Sequence, residues 1–245
     1  MKVVCIVQAR VGSTRLPGKV LKEICGKTVL EHDVNRLKLV PNIDEIVIAT
    51  TVESQDDRIL YEANRLGVKC FRGSENDVLS RYYFAAKENN ADIVIRVTSD
   101  CPCLDYKILE DMINVFLSKV NNFDYMNNTI DKTYPRGYDI EIFSFYALKM
   151  AFNNTVKDYE REHVTPYLYD LNNNFRILSY KNLKDYSRYR VTLDTEEDFQ
   201  VIKAIYEVLF KEKGYFLLED AVDFLEKNYD IAQINAEIEQ KKLGE

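Results

Sequence analysis

Short apolar runs and amphipathic stretches alternate through the first half of the chain, and that rhythm sets the expected architecture. Val3–Val7 (VVCIV) has no polar position, so it reads as a strand covered on both faces. Glu45–Thr50 (EIVIAT) and Asp92–Val97 (DIVIRV) repeat the pattern, and Val68–Phe71 is a shorter instance. Between these runs the apolar positions recur at helical spacing. Helices are expected over Val29–Leu39 with Thr28 as N-cap, from a cap at Ser54 to Gly67, over Glu75–Asn89 and over Tyr106–Val120. Strand then helix at this spacing predicts right-handed βαβ units and a mostly parallel sheet. Such sheets bind ligands at the carboxyl ends of their strands. The loops after residues 8, 50, 72 and 97 should therefore face one site.

The second half has a different texture. Asp124–Asn128, Tyr138–Phe143 and Phe175–Tyr180 read as short strands, with helices near Phe145–Phe152 and Glu160–Asp170. Tyr189–Leu193 returns to the buried-strand pattern, and helices follow from Thr195 to the end. There is no internal repeat, low-complexity tract or flexible linker. A single α/β domain over residues 1–245, with a small inserted α+β lobe at about 122–185, fits this order, and 245 residues are ample for its core.

Composition narrows the function classes. A net charge of -7 argues against a non-specific nucleic-acid binder, which would carry a basic face. It leaves an anionic small ligand open, because local cations set the field inside a cleft. The apolar run after Lys2 is too short for a signal core, and nothing approaches a membrane span. The five cysteines (Cys5, Cys25, Cys70, Cys101, Cys103) are scattered, and Cys101 and Cys103 have no second pair to complete a zinc site. Reduced thiols and a cytoplasmic location are the expectation.

The first strand runs into Gln8-Ala-Arg-Val-Gly-Ser-Thr-Arg-Leu-Pro-Gly-Lys19. Gly12 and Gly18 relax the backbone, and Arg10, Arg15 and Lys19 place three cations within ten residues. A loop that offers free N–H groups and cations suits phosphates; a solvated basic turn is the plain alternative. It is not a Walker loop, since five residues separate the glycine from Gly-Lys and valine follows. Two aspartates sit where such a sheet presents ligands: Asp100 just beyond Asp92–Val97, and Asp194 directly after Tyr189–Leu193. Taken singly, Asp100 reads better as a turn former and Asp194 as a cap for the helix at Thr195; their joint placement and the motif match below reverse that.

Ala9-Arg10-x-Gly12-Ser13-Thr14-Arg15-Leu16-Pro17-Gly18-Lys19 resembles the signature loop of the CMP-Kdo and acylneuraminate (CMP-sugar acid) synthetase superfamily. Arg96-Val-Thr-Ser-Asp-Cys-Pro102, Tyr134-Pro-Arg-Gly-Tyr-Asp-Ile-Glu141, Glu160-Arg-Glu-His-Val-Thr-Pro166 and Arg190-Val-Thr-Leu-Asp-Thr195 resemble its SpsF-type branch, the spore coat polysaccharide biosynthesis cytidylyltransferases. The likeness spans residues 1 to about 210. It implies a Rossmann-like three-layer nucleotide-diphospho-sugar transferase (GT-A-like) fold and Mg²⁺-dependent transfer of CMP from CTP to a small acidic or phosphorylated acceptor. Relatives often dimerise through the inserted lobe, which makes a homodimer an expectation without independent support in the residues.

The resemblance also distributes roles. Arg10, Lys19, Asp100 and Asp194 become the catalytic set, with Asp100 and Asp194 holding Mg²⁺. Ala9, Arg10, Gly12, Ser13, Arg15 and Lys19 border the nucleotide, as do Ala49, Thr50, Gly73, Ser74, Asp77 and Ser99 in the later loops. Arg136, on a turn at the lobe, would orient an acidic acceptor. Asp139 and Glu141 lie two apart, on one face of a strand, and suit substrate contact or a solvated face. His163 reads equally as a structural histidine and as a substrate contact. Arg81, four residues past Asp77, is balanced between an ion pair with Asp77 and a phosphate contact.

An acceptor hydroxyl must lose a proton when it attacks, whereas a phosphate oxygen is already anionic. The sequence offers no base stronger than His163, which leans toward a phosphorylated acceptor. Two rival readings remain. A glycosyltransferase would hold its metal on Asp139 and Glu141, and a non-catalytic nucleotide-binding module would have lost turnover.

Overall fold

The computed structural model describes residues 1–239. In chain order the strands are β1 (Val3–Gln8), β2 (Glu23–Ile24), β3 (Lys27–Thr28), β4 (Glu45–Thr51), β5 (Lys69–Gly73), β6 (Ile93–Thr98), β7 (Tyr125–Asn127), β8 (Glu141–Ser144) and β9 (Ile177–Ser179). Strands β2 and β3 form a small antiparallel hairpin; the other seven make one sheet in the order β5-β4-β1-β6-β8-β7-β9. All neighbours in it run parallel except β8, which opposes both β6 and β7.

Strand β1 lies mid-sheet between β4 and β6, which is why its sequence tolerates no polar position before Gln8. Its residues alternate between two cores. Val3, Cys5 and Val7 pack with α1 (Val29–Leu37), α2 (Asp57–Leu66) and, through Leu109, Met112 and Phe116, α4 (Tyr106–Ser118). Val4 and Ile6 face α3 (Val78–Glu88) and α5 (Phe145–Asn154) on the opposite side. The result is three layers, helix on sheet on helix. The stretch 122–185 contributes β7, β8 and β9 to the same sheet and adds α5, α6 (Asp158–His163) and α7 (Pro166–Tyr169). A third core gathers Val191 and Leu193 with α8 (Glu196–Ile205) and the helix Leu218–Lys227.

Several expected boundaries move for identifiable reasons. Ser54 does not cap α2: it opens a single 3₁₀ turn, and Asp56 at the turn's end directs its carboxylate to the Val11 amide and the Thr51 hydroxyl. Helix α3 starts at Val78, because Asp77 accepts from the Ser80 amide (2.9 Å) and so ends the loop. The helix read over Glu160–Asp170 breaks at Val164, whose φ is 72°, just ahead of Pro166. Tyr189–Leu193 is not a ladder strand. Its β pairing is one isolated bridge between Arg136 and Arg190, and its apolar side chains are buried by the carboxyl-terminal helices instead. Those helices run to Gln233 among the described residues; the end of the expected helical stretch, 240–245, lies outside them.

Candidate active site

The loop leaving β1 is pinned before it reaches its cations. The Val11 amide donates to Asp56 (2.7 Å), and the Gly18 amide returns to the Val11 carbonyl (3.0 Å). Gly18 has φ 68°, a left-handed turn that glycine makes without steric penalty, and it delivers Lys19 inward. The Lys19 ammonium donates to Asp100 Oδ2 (2.7 Å), Asp194 Oδ1 (2.9 Å) and the Leu193 carbonyl (2.7 Å). Residues 81 and 175 positions apart in sequence thus meet on one cation.

The rest of the cluster fixes the second aspartate. Asp194 Oδ2 takes Arg15 (3.1 Å) and Arg190 (3.0 Å), and Arg190 also forks onto the fully buried Asp198. The Leu193 amide donates to the Asp100 carbonyl (2.8 Å), tying the two aspartate loops together. Thr195, rather than Asp194, caps α8 through a capping box with Asp198. Neither aspartate therefore has a merely local role.

Electrostatics locks this arrangement. Burial works against the Lys19 charge, but Asp100 and Asp194 outweigh it and hold its pKa above the usual lysine value. Burial likewise opposes ionisation of Asp100, yet the adjacent ammonium wins and brings its pKa to about 2. Two carboxylates converging on one cation position form an all-oxygen donor set, the kind Mg²⁺ prefers. No group of three or more metal-binding side chains occurs among the described residues. Mg²⁺ here would complete its shell with phosphate oxygens and water, its common arrangement with one or two carboxylates.

A cavity of about 1500 Å³ opens over this cluster at the carboxyl ends of the strands. Ala9, Arg10, Ser13, Arg15 and Lys19 line it from the first loop, and Ser74, Asp77, Ser99, Asp100 and Asp194 from the later ones. Arg136, Asp139, Glu141 and His163 border its other side. Four expected contacts do not line it. Ala49 and Thr50 are fully buried within β4, which runs one residue longer than its pattern suggested. Gly12 packs beside Gln55, and Gly73 lies against the stem of Arg81.

Several lining residues are already engaged. Glu141 is buried and clamped by Arg96 and the Tyr125 hydroxyl, so it cross-links β6, β8 and β7 and is no free substrate ligand. Asp77 combines its capping role with an ion pair to Arg161 (3.1 Å), and Arg10 pairs with Glu75 (3.2 Å). Asp139 differs: it has no hydrogen-bond partner among the described residues. Burial pushes its pKa up to about 6, aided by Asp100 and Glu141 and opposed by Arg136. Burial lowers the pKa of half-buried His163 below the usual histidine value. Arg190 was legible only as part of a motif; its spacing of four and eight residues from Asp194 and Asp198 was the available signal.

The family model for cytidylyltransferases matches residues 4–243. This chain is a member of the cytidylyltransferase family. As such it is a nucleotidyltransferase. A solved cytidylyltransferase from Leptospira borgpetersenii shares 37% identity, covers 99% of this chain and 100% of its own, and superposes with a TM-score of 0.91. The spore coat polysaccharide biosynthesis protein SpsF of Bacillus subtilis is 30% identical over 93% of this cytidylyltransferase and 95% of its own length. A CMP:2-keto-3-deoxy-manno-octonic acid synthetase solved with CTP shares the fold at 19% identity, a TM-score of 0.66, and coverage of 84% of this chain and 99% of that one. The protein thus belongs to the SpsF-type branch of the CMP-sugar acid synthetase superfamily. Among its described residues no helix is long and apolar enough to cross a membrane.

Proposed function

We propose that this cytidylyltransferase moves CMP from CTP to a small acidic sugar that serves as a surface-polysaccharide precursor, releasing pyrophosphate. The observation that carries this reading is the meeting of Lys19, Arg15, Asp100 and Asp194 at one wall of one cavity. An acceptor oxygen attacks the α-phosphorus in line, and the bond to pyrophosphate breaks. Arg10, Arg15 and Lys19 supply cations for the triphosphate, so most of the acceleration is positioning and preorganised charge. Mg²⁺ on Asp100 and Asp194 would neutralise the charge that develops on the departing pyrophosphate. The glycosyltransferase alternative needs Asp139 and Glu141 as paired metal ligands, and the engagement of Glu141 by Arg96 and Tyr125 disfavours it.

A partnerless carboxylate with a pKa of about 6 is a suitable base at neutral pH, and Asp139 stands beside Arg136. Arg136 would hold the acceptor's acidic group while Asp139 takes the proton of its attacking hydroxyl. The base works only when ionised, so turnover should rise with pH through about 6. Asp139→Asn should lower kcat by about 10²-fold and remove that acidic limb. A limb that persists in the variant would return the acceptor to a phosphate oxygen. Incubating the protein with Mg²⁺, each nucleoside triphosphate and a panel of sugar acids and sugar phosphates tests the whole reading by pyrophosphate release. Release with UTP or GTP but not CTP would refute the donor.

A further inference from the structure

The carboxyl-terminal stretch reaches back toward the active site through a side chain that the proposed chemistry leaves without a role. Asn235, just past the short helix Tyr229–Gln233, is only 2% exposed. Its side-chain nitrogen donates to Asp198 Oδ1 (2.8 Å) and to the Arg190 carbonyl (3.1 Å). A carboxylate and a carbonyl can only accept, so the nitrogen of this amide must face them. Ile231 and Ala232, from the same stretch, pack on the core that holds Val191 and Leu193. That packing brings Asn235 against partners 37 and 45 positions earlier in the chain.

Asp198 is the hub that sets Asp194. One oxygen of its fully buried carboxylate takes the backbone amides of Asp194 (2.9 Å) and Thr195 (3.1 Å). Arg190 forks onto both oxygens through Nε (2.8 Å) and a terminal nitrogen (2.9 Å), and that same nitrogen reaches Asp194 Oδ2 (3.0 Å). Backbone and side chain of Asp194 are therefore both referred to one carboxylate. Burial opposes ionisation of Asp198, but hydrogen bonds from Arg190 and Asn235 hold its pKa below the usual aspartate value. The bonds from Arg190, Asp194 and Thr195 come from the neighbourhood of Asp194 itself. The bond from Asn235 ties the hub to a different element.

The shared guanidinium makes this hub sensitive. Arg190 serves two carboxylates, so a shift of Asp198 changes the pull on Asp194 Oδ2. Without the Asn235 nitrogen, a fully buried carboxylate is one donor short and the Arg190 carbonyl loses a partner as well. Buried groups left short of partners are costly and draw harder on those that remain. Partners around a metal-binding carboxylate orient it and tune its affinity. Building on the reading of Asp194 as a metal-binding aspartate, we propose that Asn235 is a positioning residue for it. Acting through Asp198 and Arg190, it fixes Asp194 Oδ2 so that Oδ1 stays aimed, with Asp100 Oδ2, at the position that the Lys19 ammonium marks.

The test measures CTP binding at equilibrium, and separately pyrophosphate release, across a range of Mg²⁺ concentrations in wild type, Asn235→Ala, Asn235→Ser and Asn228→Ala. In Asn235→Ala, the Mg²⁺ concentration for half-maximal CTP binding should rise by about ten- to a hundred-fold. Saturating Mg²⁺ should restore most of the turnover, a rescue that a general loss of folded protein would not allow. Asn235→Ser keeps a donor on a shorter stem and should fall between wild type and alanine; it carries the test if the alanine variant does not fold. Asn228 belongs to the same stretch, but its side chain donates to the Phe224 carbonyl (2.8 Å) at the end of the preceding helix. Asn228→Ala should therefore melt lower than wild type and keep the wild-type Mg²⁺ requirement. A wild-type requirement in either folded Asn235 variant overturns the assignment and leaves the CTP reading intact. An equal rise in Asn228→Ala overturns it too, because anchoring of the stretch, rather than the Asn235 nitrogen, would then be what matters. Wild type that binds CTP equally well without Mg²⁺ defeats the metal reading, and wild type that binds no CTP defeats the donor reading; the assignment falls with either.

Discussion

Lys19→Met should lower kcat/KM for pyrophosphate release by about 10³-fold or more, the scale expected when a preorganised charge is removed from a transition state. The ammonium stands on two carboxylates and a carbonyl that come from separate loops. Its loss removes the proposed phosphate contact and also leaves Asp100 and Asp194 facing each other without the cation between them. Breaking a buried pair from one side typically costs about 3–5 kcal/mol. Asp100 and Lys19 retain some access to solvent, so the lower end is expected here. The two effects can be separated by melting the variant with and without Mg²⁺. The metal should raise the melting temperature of Lys19→Met more than that of wild type, because Asp100 Oδ2 and Asp194 Oδ1 have then lost their ammonium partner and can receive it. Near wild-type turnover in the variant would remove Lys19 from the reaction.

Much of this arrangement can be read from local pattern, and the failures share one cause. Val3–Val7 advertises a strand covered on both faces, and its neighbours repeat the signal, so the sheet follows from periodicity. Tyr189–Leu193 carries the same apolar signal yet forms no ladder, because burial by the carboxyl-terminal helices looks identical in sequence to burial within a sheet. Asp139 and Glu141 are equivalent in spacing. Cross-strand register separates them: Arg96 on β6 stands opposite Glu141 and neutralises it, while Asp139 is left to face the cavity. Arg81 offers the same lesson in reverse. Local spacing gives it Asp77, but Arg161, 84 residues further on, takes that carboxylate. Helical and strand periods are local properties; which charge meets which is decided by the tertiary fold.

Gly137→Ala should be the most damaging glycine-to-alanine change among the described residues. Gly137 has φ 105°, and an added Cβ would lie 2.6 Å from the carbonyl carbon and oxygen of Val191 and 2.7 Å from the Thr192 nitrogen. Those atoms are backbone, so no side chain can swing aside. The same stretch is pinned by hydrogen bonds from the Arg136 amide to Tyr189 (3.1 Å) and from the Val191 amide to Arg136 (2.8 Å). Backbone strain and overpacking together should cost about 3–5 kcal/mol, and each kcal/mol moves the melting temperature of a domain this size by about 2–4 °C. Gly18→Ala is the informative control. Its φ is 68°, but nothing lies within 4 Å of the added carbon, so it should lose only about 1 kcal/mol from the left-handed backbone. Activity should follow the contact as well. Pushing Val191 and Thr192 away displaces Asp194 from Lys19, and a shift of about 1 Å in such a cluster can cost about 10²-fold. If Gly137→Ala instead melts as Gly18→Ala does, the turn at Tyr-Pro-Arg-Gly is not what seats the second aspartate.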